Sequence, residues 1–242
     1  MKAVPDSNDE RLIVALDVSS LKEAEKLVKT LAPAVKTFKV GKELFTSEGP
    51  EVIRMIQSYK RKIFLDLKFH DIPNTVGSAC EAATKLGVYI MNVHASGGKN
   101  MLFQAVQSVH KKASELKINP PILLGVTVLT SMTDRDLKEV GVAKKLQKQV
   151  ENLAVLAKAC GLDGVVASGQ EIEIIRKAAG SDFFIVTPGV RPNWAAHGDQ
   201  RRIVTPKEAI DRGATFIVVG RPITQNEDPL GAAKKILDEM AS

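Results

Sequence analysis

The feature that most constrains this chain is a regular alternation. Short, almost wholly apolar runs rich in Val, Ile and Phe are separated by longer amphipathic stretches, from near residue 12 to near residue 219. The runs predict strands at 12–17, 37–40, 63–68, 89–94, 122–127, 164–167, 184–187 and 216–219. Between them, segments such as 21–31, 51–59, 76–86, 146–159 and 208–212 carry apolar residues at three- and four-residue spacing, which predicts helices. Strands this continuously apolar must be covered on both faces, so the sheet is parallel and the helices are its crossovers. Eight strands in 242 residues leave about 30 residues each, the size of one βα step. The expectation is an α/β chain folded as a single (β/α)8 TIM barrel over residues 1–242, with 1–10 as a polar N-terminal extension. An open doubly wound sheet is the alternative. Against it, the first strand runs into Asp17-Val18-Ser19-Ser20 rather than a glycine-rich phosphate turn.

Composition narrows the class. With 44% hydrophobic and 26% charged residues the chain reads as an ordinary globular protein, not a disordered or fibrous one. Its 34 basic against 28 acidic residues give +6, an excess that suits nucleic acid or a pocket for a small anion equally well. The basic pairs Lys111-Lys112, Lys144-Lys145 and Lys234-Lys235 sit on separate helical segments among acidic residues, and aromatics are only 5%, so no stacking platform for nucleic acid is expected. Two cysteines, Cys80 and Cys160, make no disulfide framework and are read as small buried hydrophobes of a reducing compartment. The polar N-terminus lacks the apolar core of a signal peptide, and no run is long enough to span a bilayer, so a cytoplasmic protein without membrane contact is expected. The histidines His70, His94, His110 and His197 show no ligand spacing, and no metal is expected. His94, ending a strand near the mouth, is read as packing or as support for the site residues rather than as a catalytic base.

In a barrel of this kind chemistry sits at the C-terminal ends of the strands. The first strand ends in Asp17, the second carries Lys39, and the third ends in Asp66-Leu67-Lys68 with Asp71 three residues beyond. Strand alternation points Asp66 and Lys68 to one side. Lys39, Asp66, Lys68 and Asp71 thus read as an interleaved, formally neutral set, and ionisable groups placed there are costly unless they serve a ligand. An ion-pair network with no function is the weaker reading. After strands seven and eight come Thr187-Pro188-Gly189-Val190-Arg191-Pro192, then Gln200, then Gly220-Arg221. Glycine lets backbone N–H groups approach an anion, and arginine offers a matching fork of donors, so these loops read as a phosphate site. Residues 191–205, with Trp194, His197 and Gly198, read as a lid. Thr130 and Ser131, on the C-terminal side of strand five, are each placed to bond a polar heterocycle.

The run Asp66-Leu67-Lys68-Phe69-His70-Asp71-Ile72-Pro73-Asn74-Thr75 closely resembles the DxKxxDIPNT signature of the orotidine 5′-phosphate decarboxylase family. The likeness continues through Leu12–Asp17, Phe38-Lys39-Val40-Gly41, Val126–Ser131, Thr187–Arg191 and Val218-Val219-Gly220-Arg221-Pro222-Ile223. It implies a cofactor-independent lyase that converts orotidine 5′-monophosphate to uridine 5′-monophosphate and CO2, the last step of de novo pyrimidine synthesis. By that resemblance Asp17 and Lys39 hold ribose hydroxyls, Asp66 sits against the departing carboxylate, and Lys68 protonates C6. Asp71 and Thr75 enter the partner subunit's site in a homodimer with shared sites. Thr130 or Ser131 contacts the pyrimidine, and Arg191, Gln200, Gly220 and Arg221 grip the phosphate. The nearest rival is a metal-dependent decarboxylase or aldolase of the same barrel superfamily acting on a phosphorylated keto-sugar. Such enzymes share a DxKxxD-like strand but not the Ile72-Pro73-Asn74-Thr75 continuation.

Overall fold

The eight apolar runs close into a parallel barrel in a computed structural model that describes residues 5, 7–195 and 204–242. The strands are β1 (Leu12–Leu16), β2 (Thr37–Gly41), β3 (Lys62–Phe69), β4 (Ile90–His94), β5 (Ile122–Val126), β6 (Gly164–Val166), β7 (Phe184–Pro188) and β8 (Phe216–Val219). They pair in sequence order, and β1 closes on β8 with Leu12 opposite Ile217 and Val14 opposite Val219. This is the (β/α)8 barrel, not the open sheet.

The strands are apolar throughout because each face meets a different core. In β1, Leu12, Val14 and Leu16 join a large cluster between barrel and helices, whereas Ile13 and Ala15 point into the barrel. The interior is filled, not hollow. Phe64, Phe184, Phe216, Ile90, Leu124 and Val186 are all buried there, with the Phe184 and Phe216 rings edge to face at 6.1 Å. That plug leaves the C-terminal mouth as the end open to a ligand.

The boundaries that differ from expectation have local causes. The helix expected at 76–86 spans Pro73–Lys85, because Pro73 supplies a preset φ at the first turn, where its missing N–H costs nothing. The helix expected at 208–212 spans Pro206–Asp211. Thr205 and Glu208 cap each other reciprocally there and fix the start. The third strand is longer than expected, and its pairing with β4 shifts register between Leu65 and Phe69. The end of the polar extension is tied to the barrel floor. Arg11 donates to the Ala214 and Thr215 carbonyls at 2.7 and 3.2 Å, and Lys36 pairs with Asp9 at 2.9 Å. Both cysteines are free and buried, and burial pushes the Cys80 thiol up to about 12. Among the described residues no helix is long and apolar enough to cross a membrane.

Candidate active site

Inward-facing positions on β1, β2 and β3 change from apolar to charged as the strands reach the mouth. Ala15 pairs in register with Lys39, and Asp17 follows on the inward side of β1. The Lys39 ammonium donates to Asp17 Oδ1 at 3.0 Å and lies 3.6 Å from Asp66 Oδ2. Lys68 Nζ donates to Asp66 Oδ1 at 2.5 Å. The order of charges is therefore Asp17, Lys39, Asp66, Lys68, alternating in sign. The Lys39 and Asp66 side chains are 12% exposed and that of Lys68 23%, so water screens the two pairs made by Asp66 less than it screens surface pairs. Gly41 leaves the room this needs: a Cβ there would sit 3.1 Å from Lys39 Nζ.

Lys68 reaches this position by a backbone irregularity. Its φ is 54°, in the left-handed region that costs a residue with a side chain about 1–3 kcal/mol. Lys60 and Lys117 also have positive φ, but they lie where helices end; Lys68 lies inside a strand, at the register shift. A side chain that the sequence reading passed over holds it there. Asn92 on β4 is fully buried, accepts from the Lys68 N–H at 2.8 Å and donates to Asp66 Oδ1 at 2.7 Å. The signal was present: Asn92 is polar inside Ile90-Met91-Asn92-Val93-His94 and shares the face of His94.

His94 borders the cavity lined by Asp17, Lys39, Asp66, Lys68 and Leu129. Burial, reinforced by His70 and then Lys68, pulls its pKa down to about 4, so the ring is neutral near pH 7. The His70 and His94 ring centroids are 5.3 Å apart.

The other half of the mouth carries the second cluster. Arg191 is buried, and its Nε has no hydrogen-bond partner among the described residues. Burial, with the Arg221 cation nearby, lowers the Arg191 guanidinium below its ordinary value. A buried donor facing a second cation is the electrostatic setting for an incoming anion. Gly189 adopts φ 76°, and Gly220 passes close to Asp17, where a Cβ would lie 3.4 Å from Oδ2.

Three openings join these clusters. One lies between Asp66, Lys68, Thr130, Val166 and Val218. A second runs from Asp17 and Lys39 to Gly189, Arg191, Gly220 and Arg221, and a third continues past Arg191 and Arg221 to Trp194 and Asn226. Shared Lys39, Pro188, Val218, Arg191 and Arg221 make them one continuous groove. Thr130 lines it, whereas Ser131 is exposed and does not. Asp71 and Thr75 do not join the groove of their own chain. Both are exposed, and the Asp71 carboxylate accepts from the Ile72 N–H at 2.6 Å. Within one chain the fourth charge of the alternating set is thus Asp17 rather than Asp71. Gln200, with most of the expected lid, lies outside the described residues. Among the described residues no group of three or more His, Cys, Asp or Glu is arranged to hold a metal ion.

Known proteins resemble this chain over nearly its whole length. Residues 10–236 match the model of the orotidine 5′-phosphate decarboxylase / HUMPS family. The chain is 54% identical over 232 residues to an orotidine 5′-phosphate decarboxylase of Syntrophotalea carbinolica, covering 96% of this chain and 95% of that one. It is 51% identical to that of Syntrophomonas wolfei, over 96% and 98% of the two chains. Among solved structures, the orotidine 5′-phosphate decarboxylase of Lactobacillus acidophilus superposes with a TM-score of 0.85 at 38% identity, covering 96% of this chain and all of that one. A match that takes in every strand end described above, at half identity or better to full-length relatives, leaves one assignment: the chain belongs to the orotidine 5′-phosphate decarboxylase / HUMPS family.

Proposed function

We propose that this protein decarboxylates orotidine 5′-monophosphate to uridine 5′-monophosphate, the last step of UMP biosynthesis. One observation carries the reading. A single groove joins the Asp66–Lys68 pair to Arg191 and Arg221, matching a nucleotide with a carboxylate at one end and a phosphate at the other. Curated relatives at about half identity bear the same activity in their names.

The chemistry asks for what the mouth supplies. When the bond from C6 to the carboxylate breaks, CO2 departs and the electron pair stays on C6, without an adjacent group to delocalise it. Acceleration must fall high in the general range of about 8–23 kcal/mol. One charge pair at 4 Å supplies about 4 kcal/mol at an effective dielectric of 20, so no single contact suffices. The first contribution is preorganisation. Lys68, already held against Asp66, faces the developing carbanion with little rearrangement left to make, and gives its proton to C6. Asp66 stands beside the carboxylate whose departure relieves their repulsion. The second contribution is remote binding: Arg191, Arg221 and Gly220 grip the phosphate, Asp17 and Lys39 the ribose, and Thr130 the base. That binding energy holds the reacting end in place.

A second copy of the chain completes the site. Asp71 and Thr75 are exposed and do not line their own groove, Ile72 between them is 67% exposed, and Phe103 on the helix Gly98–Leu116 is 52% exposed. An exposed apolar side chain between two exposed polar residues suits a homodimer in which Asp71 reaches the other chain's Lys68. An enzyme that takes and returns phosphorylated nucleotides works in the cytoplasm, where they are held.

The test is the loss of ultraviolet absorbance of orotidine 5′-monophosphate with purified protein and excess chelator. Turnover that persists without added magnesium supports the reading. Turnover of a phosphorylated keto-sugar, lost with chelator, would replace it with the metal-dependent alternative.

A further inference from the structure

The scheme above gives Asn92 no part, yet its carboxamide touches both ends of the reacting pair. Nδ2 donates to Asp66 Oδ1 at 2.7 Å, the same oxygen that receives Lys68 Nζ at 2.5 Å, while Oδ1 accepts from the Lys68 backbone N–H at 2.8 Å. The two bonds straddle Leu67, across the stretch where β3 loses register with β4 and Lys68 is turned to φ 54°. Backbone held in so sparse a region persists only where its surroundings over-determine it. Asn92 is completely buried, so neither of its polar atoms has water as an alternative partner.

We propose that Asn92 is a positioning residue for decarboxylation: its carboxamide locks the Asp66 carboxylate and the Lys68 backbone into one rigid unit that aims the ammonium at the reacting carbon. The inference rests on Lys68 being the proton donor. The residue type follows from the geometry, because the site needs one donor and one acceptor on a neutral group. A carboxylate offers acceptors alone, and an apolar side chain offers neither.

That requirement supplies the test. Asn92→Asp keeps the shape but sets a carboxyl against Asp66, and two carboxylates so close share a proton. Protonated, the new carboxyl donates as the amide did; ionised, it repels Asp66. The ionisable groups facing position 92 are Asp66 and Lys68 of β3, with Lys39 of β2 beyond them, and His94 on β4 itself. Its partner in register on β5 is Leu124. The measurement is kcat and KM for orotidine 5′-monophosphate, as a ratio to wild type at each pH between about 5 and 8. Asn92→Ala is expected to lose about 10²-fold in kcat at every pH, the usual cost of a misplaced reacting group. Its KM should stay within about threefold, because the phosphate grip is remote. Asn92→Asp is expected to lose as much near the top of that pH range and to recover as pH falls. Wild-type kcat in Asn92→Ala, or a ratio for Asn92→Asp that does not move with pH, would overturn the proposal. So would failure of both variants to fold, which makes Asn92 a folding residue. A wild-type protein without decarboxylase activity would instead remove the parent reading.

Discussion

Acid should weaken this fold through one ring, and the structure gives the size of the effect. His94 has a folded pKa of about 4 against an ordinary 6.5, because burial beside His70 and Lys68 penalises the imidazolium. Above pH 6.5 the ring is neutral in both folded and unfolded chains and no free energy is lost. Between 6.5 and 4 the unfolded chain takes up the proton and the folded chain refuses it, so stability falls with pH. At 1.36 kcal/mol per pH unit the ceiling is about 3 kcal/mol. The ring borders an open cavity, and solvent screening reduces this to about 1–2 kcal/mol. The perturbation is His94→Gln, which keeps a neutral polar side chain of similar reach and cannot titrate. The assay is urea unfolding of both proteins at about pH 7.5 and pH 4.5. Every other titrating group is common to the two chains, so the difference between their losses isolates position 94. Wild type should lose about 1–2 kcal/mol more than His94→Gln on acidification. Equal losses, or a larger loss in the variant, would show that His94 is not held neutral at the mouth.

The groove makes further demands on its two ends. Arg221→Ala should lower both kcat and kcat/KM for orotidine 5′-monophosphate, since gripping energy is partly realised at the transition state; steady-state kinetics indistinguishable from wild type would remove the phosphate assignment. Inactive Lys68→Ala and Asp71→Ala chains, mixed under conditions of proven subunit exchange, should regain activity, because one site of each hybrid dimer contains both wild-type residues. No recovery would count against a shared site.

How much of this was legible in the sequence depended on what kind of signal each residue leaves. Asp17, Lys39, Asp66 and Lys68 stood out because a charge ending an apolar strand is expensive, and all four converge on the mouth. Arg191 and Arg221 were legible for the same reason, helped by the glycines beside them. Asn92 was missed because an uncharged polar residue inside a strand carries a weak mark, and its worth appears only once β3 and β4 are side by side. The register shift at Lys68 was not legible at all: left-handed backbone is read from glycine, and here a lysine adopts it under tertiary constraint. That bend also explains Asp71. Spacing along an ideal strand put it near Lys68, whereas the irregular strand end and the helix begun by Pro73 turn it outward. Thr130 and Ser131 stayed undivided because β5 ends at Val126 and strand alternation gives no guidance beyond it; the folded loop sets Thr130 against the groove and leaves Ser131 in solvent.

The central claim is that the Lys68 ammonium, fixed against Asp66, quenches the carbanion left at C6. Its most direct test is turnover of orotidine 5′-monophosphate by Lys68→Ala, in protein shown to be folded and still able to bind uridine 5′-monophosphate. The account predicts binding without decarboxylation. Decarboxylation at the wild-type rate would contradict it.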